Sequence, residues 1–212
     1  GGVDFEVYRD GQRAISCSLG IPGRHNAFNA TAVLTVAKLL GIDCAVAAQI
    51  LGEYRGTLRR FEVKGERKGV TVIDDYAHHP TEIRATLAAA RSRYPARRLW
   101  AVWQPHTYSR VEALLDEFNT CFADADEVVV TDIYAARARE KPTIHGQDLA
   151  VVIDHAHVQY VGSIERAVEV ISQELCSGDV LITLGAGDGY LIGERILVKL
   201  DEGQKDEFGR VV

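Results

Sequence analysis

The chain has 212 residues, 47% of them hydrophobic and 25% charged, with 24 basic against 30 acidic side chains and a net charge of −6. This length admits one large domain or a small domain plus part of another, and the composition excludes intrinsic disorder. The acidic balance argues against a nucleic-acid module, which needs a basic surface to neutralise phosphates, yet leaves room for a small anion held by one Arg or Lys. In chain order, residues 5–9 and 13–19 read as two strands joined by the Asp10-Gly11 turn, and Pro22-Gly23 closes that unit. Residues 25–40 have helical spacing, with Ala30, Val33, Ala37 and Leu40 on one stripe, and Gly41 ends the helix. A second helix is expected over 44–54. These two helices need a larger body to pack against than the first 60 residues supply.

From residue 60 the pattern changes. FEVKGERKGVTVIDDY reads as strand, turn, strand. Strands are then expected at 70–75, 98–103, 127–132, 157–161 and 179–184, alternating with helices at 80–94, 110–123, 146–154, 163–175 and 189–200. Short apolar strands alternating with amphipathic helices predict a parallel sheet covered on both faces. The boundary between the two parts is placed near 55–60. The cysteines, Cys17, Cys44, Cys121 and Cys176, form no CxxC pair and read as reduced, mostly buried thiols of a cytoplasmic protein. Lys38 interrupts the best apolar run, so no membrane span is expected, and no signal peptide is recognisable. The chain opens Gly1-Gly2-Val3 and contains no methionine, which reads as a cut or processed piece.

Ligands of a parallel α/β sheet bind at the C-terminal edge of the strands, so the loops there carry the functional reading. Tyr76-Ala77-His78-His79-Pro80 follows the strand at 70–75. Gln104 to Arg110 follows 98–103, Ile133 to Arg137 follows 127–132, and GAGDG (185–189) follows 179–184. Asp74 and Asp75 are adjacent on a strand and point to opposite faces, so they form no carboxylate dyad. Pro80 fits a first helical position, with Glu82 near the positive helix end. Ser109 and Glu112 match a capping box, which puts Arg110 in the first turn, where the helix dipole opposes a cation. Either Glu112 or an anionic ligand offsets that charge. Asn26 and Asn29, at i and i+3 beside the apolar stripe, either cap and satisfy backbone or read a polar ring edge. GAGDG is a weak phosphate-loop signal that more often marks a tight turn. His145, His155 and His157 show no ligand spacing.

The ordered set PGRHNAFN (22–29), RRF (59–61), DDYAHHPTE (74–82) and QPHTYSR (104–110) resembles the Mur ligases over about residues 20–200. The resemblance implies an enzyme of three domains, which bind a UDP-sugar, bind ATP through a P-loop, and close over the site with a Rossmann-like fold. It implies an α/β fold here: a Rossmann-like, mostly parallel sheet domain at 57–212, preceded at 1–56 by the C-terminal part of the central ATP-binding domain. The implied substrates of the intact enzyme are UDP-N-acetylmuramate, L-alanine and ATP with Mg2+, joined through an acyl phosphate in peptidoglycan precursor synthesis. No nucleic acid or membrane partner is implied. His25, Asn26, Asn29, Arg60 and Asp75 are the implied nucleotide contacts. Tyr76, His78, His106 and Arg110 are the implied L-alanine contacts, with Thr107 standing where an arginine is often found. No GxxxxGK[ST] occurs in the chain, so the chain alone is expected to be inactive, with no tightly bound cofactor and no metal site. The alternatives are a tripeptide-accepting ligase of the same family, a non-catalytic nucleotide-binding module, and a metal-dependent hydrolase using Asp74, Asp75, His78 and His79.

Overall fold

The structure is a computed structural model describing residues 2–54, 56–136 and 144–202; Arg137 lies outside them. It divides into two units, Gly1–Phe61 and Glu62–Val212. In the first, β1 (Val3–Arg9) and β2 (Gln12–Leu19) form an antiparallel hairpin. Its two turn residues, Asp10 (φ 51°) and Gly11 (φ 78°), both take the positive φ that a tight hairpin of the favoured hand requires. Helices α1 (Arg24–Leu39) and α2 (Cys44–Glu53) follow. Asp43 caps α2, its side chain accepting the Ala45 N–H at 2.7 Å.

The core of this unit is small: Cys17, Leu19, Ala30, Leu34, Ala37 and Ala47. The buried stripe of α1 is therefore Ala30, Leu34 and Ala37, and the expected Val33 and Leu40 are exposed, at 50% and 72%. Spacing i, i+4, i+7 keeps one face, whereas Val33 and Leu40 fall on its flank. Phe28, Leu39 and Ile50 are also exposed.

The second unit is a six-stranded sheet in the order β3-β4-β8-β5-β6-β7. Strands β3 (Glu62–Arg67) and β4 (Val70–Asp75) are an antiparallel hairpin. β5 (Leu99–Trp103), β6 (Glu127–Thr131), β7 (Val158–Gly162) and β8 (Val180–Leu184) continue parallel to β4. Every residue of β4, β5 and β8 is buried, as largely apolar strands require when helices cover both faces. On one face Val72, Trp100 and Leu181 pack against α7 (Ile164–Glu174) and α8 (Tyr190–Glu202) through Ile171, Ile192 and Ile196. On the other, Trp103 packs against the tilted rings of Phe118 (ring centroids 4.6 Å) and Phe122 (5.3 Å).

The expected helix 110–123 is instead two short ones, α4 (Tyr108–Ala113) and α5 (Leu115–Asn119). They part at Leu114, whose φ −120° and ψ 20° leave the helical region, and α5 turns Phe118 onto Trp103. α3 (Pro80–Arg93) and α6 (Gly146–Val152) complete the unit. At the N-terminal edge of the sheet Arg98 bonds Asp179 through two nitrogens (3.1 and 2.6 Å), with Trp100 Nε1 donating to the same carboxylate at 3.1 Å. All four cysteines are free, Cys17 and Cys121 buried but Cys176 exposed. Among the described residues no helix is long and apolar enough to cross a membrane.

Candidate functional site

The C-terminal rim of the sheet is built loop by loop. At the end of β4, Asp74 and Asp75 diverge as their adjacency requires. Asp74 Oδ1 accepts the Thr183 hydroxyl at 2.7 Å, and Asp75 Oδ1 accepts the Ala77 N–H at 2.8 Å. The Asp75 bond closes a local turn at the strand's end. His78 Nδ1 then donates to the Tyr76 carbonyl at 2.9 Å, since a carbonyl can only accept. Glu82 Oε2 receives the N–H groups of His78 (3.1 Å) and His79 (3.3 Å), and His79 Nδ1 accepts the Thr81 N–H at 3.3 Å. His79 is thus the N-cap of α3, the position that Pro80 as first helical residue leaves to it, with its imidazole in the capping role usually taken by Ser, Thr, Asp or Asn.

After β5 comes Gln104, 5% exposed. Its amide nitrogen donates to Asp188 at 2.6 Å and its oxygen accepts the Gly189 N–H at 2.8 Å. A Cβ on Gly187 would lie 2.4 Å from that oxygen. GAGDG is therefore a turn clamped by Gln104 and packed without room for side chains, and the Gly189 amide a phosphate would need is already used.

His106, two residues on, forms a bridge with Tyr134 beyond the ends of β5 and β6. Thr107 then takes φ 64° and ψ 133°, a conformation a β-branched residue rarely adopts, and stands as the N-cap of α4 without a side-chain cap bond. The capping box expected from Ser109 does not form: Ser109 lies inside the helix because the turn at Thr107 starts it at Tyr108. Arg110 still falls in the first turn. Its Nη1 donates to His106 Nδ1 at 3.0 Å and to the His106 carbonyl at 3.2 Å. Among the described residues no carboxylate pairs with it, Glu112 included.

These loops meet. Tyr76 stands edge-on to His78 (centroids 5.3 Å), His78 lies 5.8 Å from His106, and His106 stacks on Tyr134 at 5.6 Å. An arginine is always a donor, so His106 Nδ1 carries the lone pair. Burial holds the His106 pKa below its ordinary value, and the charge of Arg110 and the neighbouring His78 add to this. A neutral His106 has its proton on Nε2, while His78, with Nδ1 donating, has its lone pair on Nε2 when neutral. The rim therefore offers one cation, one N–H donor and one nitrogen acceptor side by side, a set matched to a carboxylate and an amine together.

The other candidates lie in the first unit. His25 and Asn29 are exposed on the first turns of α1. Asn26, half-buried, donates from Nδ2 to the Pro22 carbonyl at 2.7 Å, and the N-cap of α1 is Gly23, so Asn26 does not cap the helix. Arg60 is exposed in the segment before β3. Nor do both asparagines border the apolar stripe: Asn26 continues it towards Pro22, and Asn29 sits on the exposed flank with Val33. Among the described residues no group of three or more His, Cys, Asp and Glu is arranged to hold a metal ion. Two residues that shape the rim, Gln104 and Tyr134, were not singled out by the sequence. The available signals were that each lies in a loop at a strand's C-terminal end and that Gln104 begins the QPHTYSR string.

A family model described as "Mur ligase, glutamate ligase domain" matches residues 59–187. The chain belongs to the Mur ligase family. The UDP-N-acetylmuramate–L-alanine ligase of Alkaliphilus metalliredigens is 44% identical over 196 residues, covering 92% of this chain and 42% of that protein. The crystal structure of the UDP-N-acetylmuramate–alanine ligase MurC of Thermotoga maritima superposes with a TM-score of 0.76 at 29% identity, covering 93% of this chain and 43% of that one. A murein peptide ligase of Psychrobacter arcticus gives 0.66 at 26% identity, covering 88% and 39%. The chain thus spans about two fifths of the length of these Mur ligases, and what it matches is their C-terminal part. The mostly parallel six-stranded sheet is the fold of their C-terminal domains.

Proposed function

We propose that this chain is the C-terminal portion of an ATP-dependent ligase that joins L-alanine to UDP-N-acetylmuramate in the cytoplasm, as a step of peptidoglycan precursor synthesis. The observation that carries the reading is the rim itself: Arg110 without a carboxylate partner among the described residues, beside two histidines whose free ring nitrogens have opposite hydrogen-bonding character. Arg110 takes the acceptor's carboxylate. His106 Nε2–H supports that carboxylate, and His78 Nε2 receives a proton of the amine, with Tyr76 setting the His78 ring edge-on. The amine so held attacks the carbonyl carbon of the acyl phosphate formed, with release of ADP, from the muramate carboxylate and the γ-phosphate of ATP. The C–N bond of the amide forms as the C–O bond to phosphate breaks, inorganic phosphate leaves, and the amine gives up its proton towards His78. Holding amine and anhydride together, away from water, is worth several orders of magnitude in rate.

Residues 1–56 are read as the end of the central, ATP-binding domain, and residues 57–212 as the third domain. His25, Asn26 and Asn29 then meet the adenine side of the nucleotide, Arg60 its phosphates, and Asp75 orders the nucleotide from the end of β4. The phosphate cradle and the metal's ligands are assigned to other parts of the intact enzyme, as the likeness to the family implies; no GxxxxGK[ST] motif occurs in this chain. The chain alone is accordingly expected not to turn over ATP when given L-alanine and UDP-N-acetylmuramate.

In the intact enzyme, Arg110→Ala should raise the KM for L-alanine by about two orders of magnitude, the loss expected of a charge-assisted carboxylate contact, while leaving the KM for ATP within a factor of about two. An equal loss for both substrates would contradict the assignment. The likeness to the Psychrobacter arcticus structure favours a second reading, a ligase whose acceptor is a murein peptide. Turnover with a tripeptide in place of L-alanine would establish it.

A further inference from the structure

Tyr134 is the residue against which His106 is set. Its N–H donates to the Pro105 carbonyl at 2.8 Å, and its own carbonyl accepts the Thr107 N–H at 3.1 Å. This zips the loop after β6 to the loop after β5, on either side of His106. The two rings consequently stack almost parallel, 13° apart with centroids at 5.6 Å, an offset arrangement favoured by the ring quadrupoles. On another side Tyr134 meets the glycine turn, where a Cβ on Gly187 would lie 2.7 Å from Tyr134 Cγ. The ring is thus set against both His106 and the glycine turn, while 37% of the residue stays exposed.

What this fixes is the plane of the His106 imidazole. The terminal torsion of a histidine is broad and roughly two-fold. Stacking removes the orientations out of the plane, and the two that remain differ in whether Nδ1 or Cδ2 faces Arg110. Only the first gives the guanidinium its acceptor, at 3.0 Å. The second bond from Arg110, to the His106 carbonyl, survives either way and cannot orient the fork by itself.

We propose that Tyr134 is a positioning residue for the amino-acid acceptor, its ring holding the plane of His106 and, through His106, the guanidinium of Arg110 that takes the acceptor's carboxylate. This deepens the ligase reading and rests on it for the identity of the acceptor. The contact between Tyr134 and His106 stands independently of that reading, so two measurements separate the two claims.

The first is made on the 212-residue chain and needs no substrate: long-range proton–nitrogen NMR spectra of the His106 ring. The native chain and Tyr134→Phe should show one neutral form with the proton on Nε2. Tyr134→Leu and Tyr134→Gln, two non-aromatic replacements at a position 37% exposed, should show a mixture of forms. The second uses the intact ligase. Tyr134→Leu and Tyr134→Gln should raise the KM for L-alanine about five- to tenfold, the scale of one aromatic stacking contact. The KM values for ATP and UDP-N-acetylmuramate should stay within about twofold, and Tyr134→Phe should match the native enzyme. An unchanged His106 spectrum in both non-aromatic variants overturns the positioning role. So does a parallel rise in all three KM values, which marks general damage. A changed spectrum with an unchanged alanine KM overturns the link to the acceptor, and with it the assignment of Arg110 to L-alanine.

Discussion

Replacing Gln104 by leucine keeps roughly the same volume and removes one buried carboxamide, and the structure sets the size of the effect. The side chain makes two bonds, a donated one to the Asp188 carboxylate at 2.6 Å and an accepted one from the Gly189 N–H at 2.8 Å. The first is charge-assisted and worth about 1.5–3 kcal/mol, and stranding the Gly189 donor costs about 1–3 kcal/mol. Asp188 is half-exposed and regains water, so most of the first value is recovered and the net loss is about 2–3 kcal/mol. The assay is urea unfolding followed by tryptophan fluorescence. Trp100 and Trp103 are the chain's two tryptophans and both lie in β5, so the signal reports the second unit alone. The midpoint should fall with the slope unchanged. Gln104→Glu is the sharper control. It keeps an acceptor for Gly189 but sets a second carboxylate against Asp188, so its deficit at pH 7 should shrink as the pH is lowered towards 4. A Gln104→Leu loss below about 0.5 kcal/mol, or a Gln104→Glu variant as stable as the native chain at pH 7, would refute the clamp.

Two further outcomes follow from the same unit. Burial works against ionisation of Asp179 and of Asp126, but hydrogen bonds outweigh it, from Arg98, the Cys176 N–H and Trp100 in one case and from Arg91 and the Leu99 N–H in the other. Both folded pKa values lie below the ordinary carboxylate value, so their stabilisation is complete above about pH 4 and is lost as pH falls through the folded values. Asp179→Asn should flatten the acid limb of the tryptophan-monitored stability curve, and an unaltered limb would dismiss the attribution. Thr107→Gly relieves a positive φ and should raise the urea-derived stability by about 1 kcal/mol, the strain relieved less the added freedom of the unfolded chain. A destabilised variant would show that Thr107 is not strained.

Much of this architecture was legible in the chain. Short, largely apolar strands such as VTVIDD and LWAVW, separated by helical spacing, announce a two-faced parallel sheet, and the strands fall within a residue or two of their expected places. Local signals that compete were read less well. Ser109 and Glu112 match a capping box by spacing, yet the bridge between His106 and Tyr134 forces the turn at Thr107 and starts the helix earlier. The stripe of α1 was misplaced because Val33 and Leu40 are as apolar as Leu34, and only packing against the hairpin decides which flank is covered. For the rim, the His- and Arg-bearing loops could be seen to share one edge. That His78 and His106 lie 5.8 Å apart with opposite free nitrogens could not, because it depends on bonds to the Tyr76 carbonyl and to Arg110. Gln104 belonged to the QPHTYSR string but carried no role of its own there, since its role needs a partner 85 residues away.

The assignment of the rim to the incoming amino acid is tested most directly by a crystal structure of the intact ligase with L-alanine and a non-hydrolysable ATP analogue. The expected result places the alanine carboxylate within about 3 Å of the Arg110 guanidinium, with His106 Nε2 on the same carboxylate and His78 Nε2 on the amine. An alanine bound elsewhere, with Arg110 and both histidines untouched, would contradict the account.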